Sequence, residues 1–354
     1  MNGFVTIDTL YLNIKYPYRD VFDYWYEPVK NLDTRILKSG VVHDDLVIKN
    51  GSCGYKVSVW KHDARIYLTD QVDEKCGKGK GMGAWLQLGP KFMIEHMDNI
   101  HGAVKEYLVG VGILGNYPIS ITRLDIAVDM LGVSIRDQDI NEWSNYWVGR
   151  SKLSRICKNS RTGELETFYI GSRKSPVYLR VYDKVAQSLS DSDYGYWLDI
   201  WDGFEGPVTR VEWEIKPKTG NFPEDLKDFS KFNELSVREL LNYLLDWGRL
   251  CEPNRNDSNN RRWKDAPFWA HLRSLVEAWR KDIDWPTSRL GKEFHGISEG
   301  YVKFVSGTLS GAMARFESKD PSFMNLFEKL DEFGEPINKI TKRAQEKAEI
   351  IKRI

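Results

Sequence analysis

Only four cysteines occur in 354 residues, Cys53, Cys76, Cys157 and Cys251. They are widely spaced, with no C-x-x-C and no nearby histidine pair, so nothing in them suggests a zinc site. Long apolar runs are lacking too. No stretch approaches the ~18–20 apolar residues needed to cross a bilayer. The first residues carry no basic flank followed by an apolar segment, as a secretory signal would. The expectation is a soluble, reduced, cytoplasmic protein without a membrane partner. Excess charge of either sign is missing as well, with 51 basic and 51 acidic residues and a net charge of zero. That balance is not the footprint of a general nucleic-acid coat protein, though it leaves room for a local basic groove. HExxH, G-x-S-x-G and a Ser/Lys recombinase pattern are all absent. The Gly- and Lys-rich stretch Lys75–Gly83 lacks the Walker spacing and the Ser or Thr after its lysine. It is read as a flexible turn or as a set of lysines for phosphates.

Aromatic residues, by contrast, are plentiful. They make up 13% of the chain and include 13 Trp. That is more than a core normally needs, and it leaves two uses open: dense packing of sheets, and stacking on bases.

The chemistry concentrates in Phe168–Lys184, FYIGSRKSPVYLRVYDK. Two β-type runs, Phe168–Ile170 and Val177–Tyr182, flank a polar, basic turn. Side chains alternate along a strand, so Tyr178, Arg180, Tyr182 and Lys184 share one face. A tyrosine with a cation two residues away on either side is a candidate nucleophile for a phosphodiester. A half-exposed strand with packed tyrosines and solvated cations would read the same way.

Two more stretches repeat the pattern. In Ile121–Asp129, ITRLDIAVD, residues Arg123, Asp125 and Asp129 lie opposite Leu124, Ile126 and Val128. In Thr209–Lys216, TRVEWEIK, residues Arg210, Glu212, Glu214 and Lys216 lie opposite Val211, Trp213 and Ile215. An antiparallel sheet with one solvated face alternates in this way as a matter of course. Here, however, the polar faces are almost wholly ionisable. If the three strands are neighbours, Asp125, Glu212 and Glu214 could form an all-oxygen site suited to Mg²⁺ or Mn²⁺.

YIGSRKS followed by YLRVYDK, preceded by TRLDIAVD and followed by RVEWEIK, resembles the replication initiation factor (Rep_trans) family over roughly residues 80–220. Its members include initiators of rolling-circle plasmids and relaxases of some integrative conjugative elements. The resemblance implies a metal-dependent enzyme that nicks and rejoins DNA through a 5′-phosphotyrosyl link and leaves a 3′-OH. Carried onto this chain, Tyr182 would be the nucleophile, with Tyr178 and Tyr169 as alternatives. Arg180 and Lys184 would lower its pKa or neutralise phosphoryl charge. Asp125, Glu212 and Glu214 would hold Mg²⁺ or Mn²⁺. Arg173 and Lys174, with Arg123 and Arg210, would hold DNA. The implied partners are double-stranded origin DNA with a locally single-stranded or hairpin nick site, and a host helicase and polymerase. A homodimer is expected. Many rolling-circle enzymes use a His-hydrophobe-His metal motif, but the six histidines here contain no H-x-H pair, which leaves carboxylates as the only metal donors on offer.

The expected fold is α+β: a mainly antiparallel, curved sheet with covering helices, open to being a duplicated unit, followed by a helical C-terminal part. Residues 1–228 would form the catalytic domain, divided into 1–118 and the active-site half 119–228. Residues 229–354 would form a helical region for DNA recognition or dimerisation. Strands are expected at Phe4–Lys15, Trp85–Leu88 and, as a meander, over 40–70. Helices are expected within Tyr18–Leu32 and over Lys91–Gly110, Ile135–Val148, Val237–Leu250, Ala266–Arg280, Ser298–Arg315 and Lys339–Ile354. A conjugative relaxase with the same chemistry, a non-catalytic DNA-binding regulator and a water-using nuclease are the alternative functions.

Overall fold

A computed structural model describes residues 3–15, 19–44, 46–71, 83–138, 143, 145–158, 160–161, 163, 165–220, 222–254 and 256–281. The expected helices at 298–315 and 339–354, and the Gly/Lys-rich stretch up to residue 82, lie outside the described residues.

The chain is α+β, and its centre is an antiparallel sheet of eleven strands that does not close into a barrel. The two middle strands are β1 (Gly3–Ile14) and β7 (Ile119–Leu131), paired from Gly3↔Met130 to Ile14↔Ile119. Outward from β1 come β6 (Ala84–Leu88), β5 (Ala64–Leu68), β4 (Val57–Lys61), β3 (Leu46–Asn50) and β2 (Val41–His43). This is the expected meander with its added strand. Outward from β7 come β12 (Val208–Ile215), β11 (Val177–Asp183), β10 (Leu165–Ile170) and β9 (Ser154–Lys158). Two short strands, β8 (Trp147–Gly149) and β13 (Gly248–Leu250), pair separately.

Alternation of side chains gives the sheet one apolar and one polar face. Leu10, Leu12, Leu86, Ile66, Val59, Leu124, Ile126, Val211, Trp213 and Leu179 are all buried in the core. Helices cover that side. On α3 (Pro90–His96) and α4 (Ile100–Gly110) the residues Phe92, Met93, Ile100, Val104 and Leu108 are buried. On α7 (Glu234–Trp247) and α8 (Pro267–Lys281) they are Leu241, Leu244, Trp269, Leu272 and Val276. Trp269 meets Trp213 edge-on, with ring centroids 6.3 Å apart. Two shorter helices, α1 (Asp20–Tyr26) and α2 (Thr34–Ser39), precede the meander.

Several expectations need correcting. The helix expected over Lys91–Gly110 is broken by a 3-10 turn at Met97–Asn99. Within Ile135–Val148 the chain forms a 3-10 turn at Ile135–Asp137, is helical at Trp143, Asn145 and Tyr146, and enters β8 at Trp147, while 139–142 and 144 lie outside the described residues. The helix expected to end at Leu250 stops at Trp247, because Gly248 is extended and opens β13. Two helices were not foreseen, α5 (Lys184–Ser190) and α6 (Tyr194–Ile200). Their aromatic-rich, Ser- and Asp-punctuated sequence carries no sustained apolar period.

Spatially the chain divides into two compact units, Met1–Lys184 with Pro207–Ser288, and Val185–Gly206 with Arg289–Ile354. Among the described residues, no helix is long and apolar enough to cross a membrane.

Candidate active site on the polar face of the sheet

Strand register decides which charged residues meet. Glu214 lies opposite Asp125, Arg180 opposite Glu212, Tyr182 opposite Arg210, and Tyr178 opposite Glu214. The three stretches singled out in the sequence are therefore adjacent strands, β7, β12 and β11, with their ionisable residues on one face. β12 is buried along all eight residues. A strand buried on both faces normally reads as a continuous apolar run, yet this one keeps its alternation. Its polar face is satisfied by ion pairs instead.

Those pairs form one network. Arg123 donates from Nε to Asp125 at 2.8 Å and reaches Glu214 at 3.2 Å. Arg180 bridges Asp125, at 3.3 Å, and Glu212. Lys216 pairs with Glu214 at 2.8 Å. The Tyr182 hydroxyl donates to Glu212 at 2.7 Å. The carboxylates of Asp125, Glu212 and Glu214 are 1–7% exposed, whereas Arg123 and Arg180 keep about a quarter of their surface in solvent. The guanidinium groups therefore roof the acids.

The electrostatics follow from that arrangement. Burial, aided by the neighbouring Glu212 charge and opposed by Arg123 and Arg180, pushes the Asp125 carboxyl up to about 7. For Glu214, burial is outweighed by the Lys216 hydrogen bond and the Arg123 charge, so its carboxyl is held below the ordinary range. Burial and the Glu212 charge hold the Tyr182 phenol well above its ordinary value. The expectation that Arg180 and Lys184 lower the Tyr182 pKa is thus corrected. Arg180 is committed to carboxylates, and Lys184 is itself buried.

Arg210 also departs from its expected role. It is completely buried, donating to Asp129 at 2.6 and 2.8 Å and pairing with Asp8. With no surface to offer a phosphate, it is an internal strut rather than a DNA contact. Asp8 is a residue that sequence reasoning missed. The β1–β7 register shifts between Ile7 and Thr9, so Asp8 stands at a bulge that turns it toward Arg210. An acid in the middle of an otherwise β-branched and aromatic strand was its only signal. Arg173 and Lys174, the expected DNA contacts, are exposed in the β10–β11 turn. Tyr169 and Tyr178, the alternative nucleophiles, stack on each other at 5.6 Å, and Arg155 lies over the Tyr169 ring.

The oxygen donors of Asp125, Glu212 and Glu214 are of the kind that Mg²⁺ and Mn²⁺ prefer. As arranged they do not fit an ion, since each carboxylate is neutralised by a protein cation. Among the described residues no group of three or more His, Cys, Asp or Glu side chains is placed to hold a metal.

Among solved structures the chain is similar to the rolling circle replication initiator protein from Geobacillus stearothermophilus, at 17% identity and a TM-score of 0.48, covering 78% of this chain and 97% of that one. That likeness is too distant to assign a function here. No protein-family model matches the chain. No curated protein matches it.

Proposed function

We propose that this protein nicks and rejoins DNA at a replication origin through a covalent 5′-phosphotyrosine, as a rolling-circle initiator does. The observation that carries the reading is the Tyr182–Glu212 hydrogen bond, set inside a carboxylate–guanidinium network on the polar face of the sheet. The ordered motifs of β7, β11 and β12 resemble those of replication initiators, and the register makes these strands neighbours.

In this reading the Tyr182 oxygen attacks the phosphorus while its proton passes to Glu212. A new Oη–P bond forms, and the P–O3′ bond breaks. The departing 3′ oxygen takes a proton from water and is freed as a 3′-OH. Arg180 and Arg123, the partly exposed cations of the network, neutralise charge developing on the phosphoryl oxygens. Attack by a later 3′-OH on the phosphotyrosine reverses the step and rejoins the strand. Arg173 and Lys174 hold the backbone near the site. The freed 3′-OH would prime a host polymerase behind a host helicase. Dimerisation and a requirement for Mg²⁺ or Mn²⁺ belong to the proposal, and an ion could enter only by displacing a guanidinium group.

The test is a cleavage assay on labelled supercoiled or hairpin origin DNA with Mn²⁺ or Mg²⁺, read on a denaturing gel, with peptide mapping of any adduct. A protein–DNA adduct on Tyr182, lost in Tyr182→Phe, is expected. An adduct mapped to Tyr178 or Tyr169 moves the nucleophile and keeps the function. Cutting without an adduct replaces the reading with a water-using nuclease. Binding without cutting leaves a regulator.

A further inference from the structure

The polar face does not end at the carboxylates. It continues across β1, β6, β5 and β4 with a different chemistry. Tyr11 lies beside Arg123 in the register, and the Arg123 guanidinium sits 5.0 Å over its ring. Next to it Trp85 meets Tyr11 edge-on at 5.3 Å and stacks with Tyr55 at 6.0 Å. Tyr67 lies against Trp85 at 5.1 Å. Further out, Trp60 carries Lys49 on its ring at 4.4 Å and Arg65 at 4.9 Å. Tyr11, Tyr55, Trp60 and Trp85 are only half-buried.

Packing alone does not account for this surface. The apolar core lies on the other face, where Leu10, Leu86, Ile66 and Val59 are buried, so these rings are not needed to fill it. Charge is one-sided as well. The four strands β3 to β6 contain neither Asp nor Glu, and they place Lys49 and Arg65 on this face beside Trp60. Half-exposed rings interleaved with cations, next to a centre of opposite character, match the way proteins track single-stranded nucleic acid. Cations follow the backbone there, and rings accept bases regardless of sequence.

We propose that this half of the sheet is a stacking platform for the single DNA strand leading to the nick site. Tyr11, Trp85 and Trp60 receive successive bases, while Arg123, Arg65 and Lys49 follow the backbone. At about 4.8 Å per strand, the platform extends laterally from about 5 Å to about 19 Å from β7, the strand that carries Asp125. Duplex DNA cannot use it, because its bases are already stacked on one another. The inference rests on the nicking reading for the strand's destination, and its test is independent of cleavage.

The first experiment uses the full chain and a fifteen-nucleotide oligothymidine carrying 5-iododeoxyuridine, cross-linked by ultraviolet light and mapped by mass spectrometry. Cross-links at Tyr11, Trp60 or Trp85 are expected. Cross-links confined to other regions would overturn the platform. The second compares binding by fluorescence anisotropy. Trp85→Ala and Trp60→Ala should each weaken binding of the single strand about 10-fold, with duplex binding unchanged and Trp85→Phe largely restored. Equal loss on duplex, or no loss in a folded variant, counts against it. Cross-links at these rings without any phosphotyrosine adduct would keep the platform and remove the nicking. An adduct without such cross-links would do the reverse.

Discussion

Tyr182 donates a 2.7 Å hydrogen bond to Glu212, and the other oxygen of Glu212 is held by Arg180 from the same strand as the tyrosine. The phenol is thus supplied with a proton acceptor and, by burial and that same carboxylate charge, kept protonated well above its ordinary value. Below the pKa, the ionised fraction of a phenol rises tenfold per pH unit. If ionisation limits attack, adduct formation should rise close to tenfold per unit between pH 7 and pH 9, measured as initial rates on a denaturing gel. A flat profile would show that proton transfer to Glu212 occurs within the attack itself. In either case Tyr182→Phe removes the adduct.

Arg210 is the opposite kind of cation, wholly buried between Asp129 and Asp8. Removing one partner of a buried pair strands the other charge, which costs about 3–5 kcal/mol. Arg210→Met should lower the unfolding free energy by that amount in urea titrations. Arg173→Ala, in the exposed turn, should change it by less than ~0.5 kcal/mol, while reducing the salt dependence of DNA binding by about one unit of slope. A mild Arg210→Met phenotype would mean that Asp8 and Asp129 find water or other donors.

These two arginines show what could be read from the sequence and what could not. Alternation placed Arg180 and Arg210 correctly on polar faces, and alternation with turn residues located most of the strands. The apolar halves of β1, β6, β7, β11 and β12 became the core, as a period of two requires. What a single strand cannot express is depth. Whether an arginine on the polar face reaches solvent depends on which side chain faces it across the sheet, and Arg210 faces Asp8 only because of a bulge in β1. The direction of the Tyr182 shift was illegible for the same reason. Its cationic neighbour in sequence, Arg180, is drawn off by carboxylates from other strands, and Glu212 accepts from the hydroxyl. The two described helices beyond residue 228, α7 and α8, were legible as helix, but not their partner surface, since an amphipathic face does not name what it covers. There the pairing of Trp269 with Trp213 ties α8 to the sheet.

Asp125 provides a pH test. Burial, with the Glu212 charge, raises its carboxyl to about 7 from an ordinary value of 3.8. Between those values the folded chain binds a proton that the unfolded chain has released. The unfolded state therefore holds fewer protons, and stability must fall as pH rises through this window. The contribution is full near pH 4 and below and gone above about pH 7. Between pH 5 and pH 8 the loss amounts to about 2–3 kcal/mol. Asp125→Asn cannot titrate, so wild type minus variant should fall by that much across the range in urea unfolding. A difference independent of pH would mean that Arg123 and Arg180 keep the carboxylate ionised throughout.

The guanidinium roof leads to a competition that can be measured without any DNA. Asp125 and Glu212 share Arg180, and Asp125 and Glu214 share Arg123. A divalent ion on these oxygens must take the place of at least one arginine. Arg180→Gln keeps much of the side chain's bulk, removes its charge, and leaves Glu212 without that partner and Asp125 with Arg123 alone. If the carboxylates are the metal site, the variant should bind Mn²⁺ at least about fivefold more tightly than wild type, since a like charge removed from near contact is worth about 1 kcal/mol even where solvent screens it. Titration followed by the loss of free Mn²⁺ signal in electron paramagnetic resonance reads this directly. A second variant, Arg180→Gln with Asp125→Asn, should lose the gain. Equal and weak Mn²⁺ binding in all three proteins would place the ion elsewhere and leave the network as a set of ion pairs that fix Tyr182 and Glu212 in register.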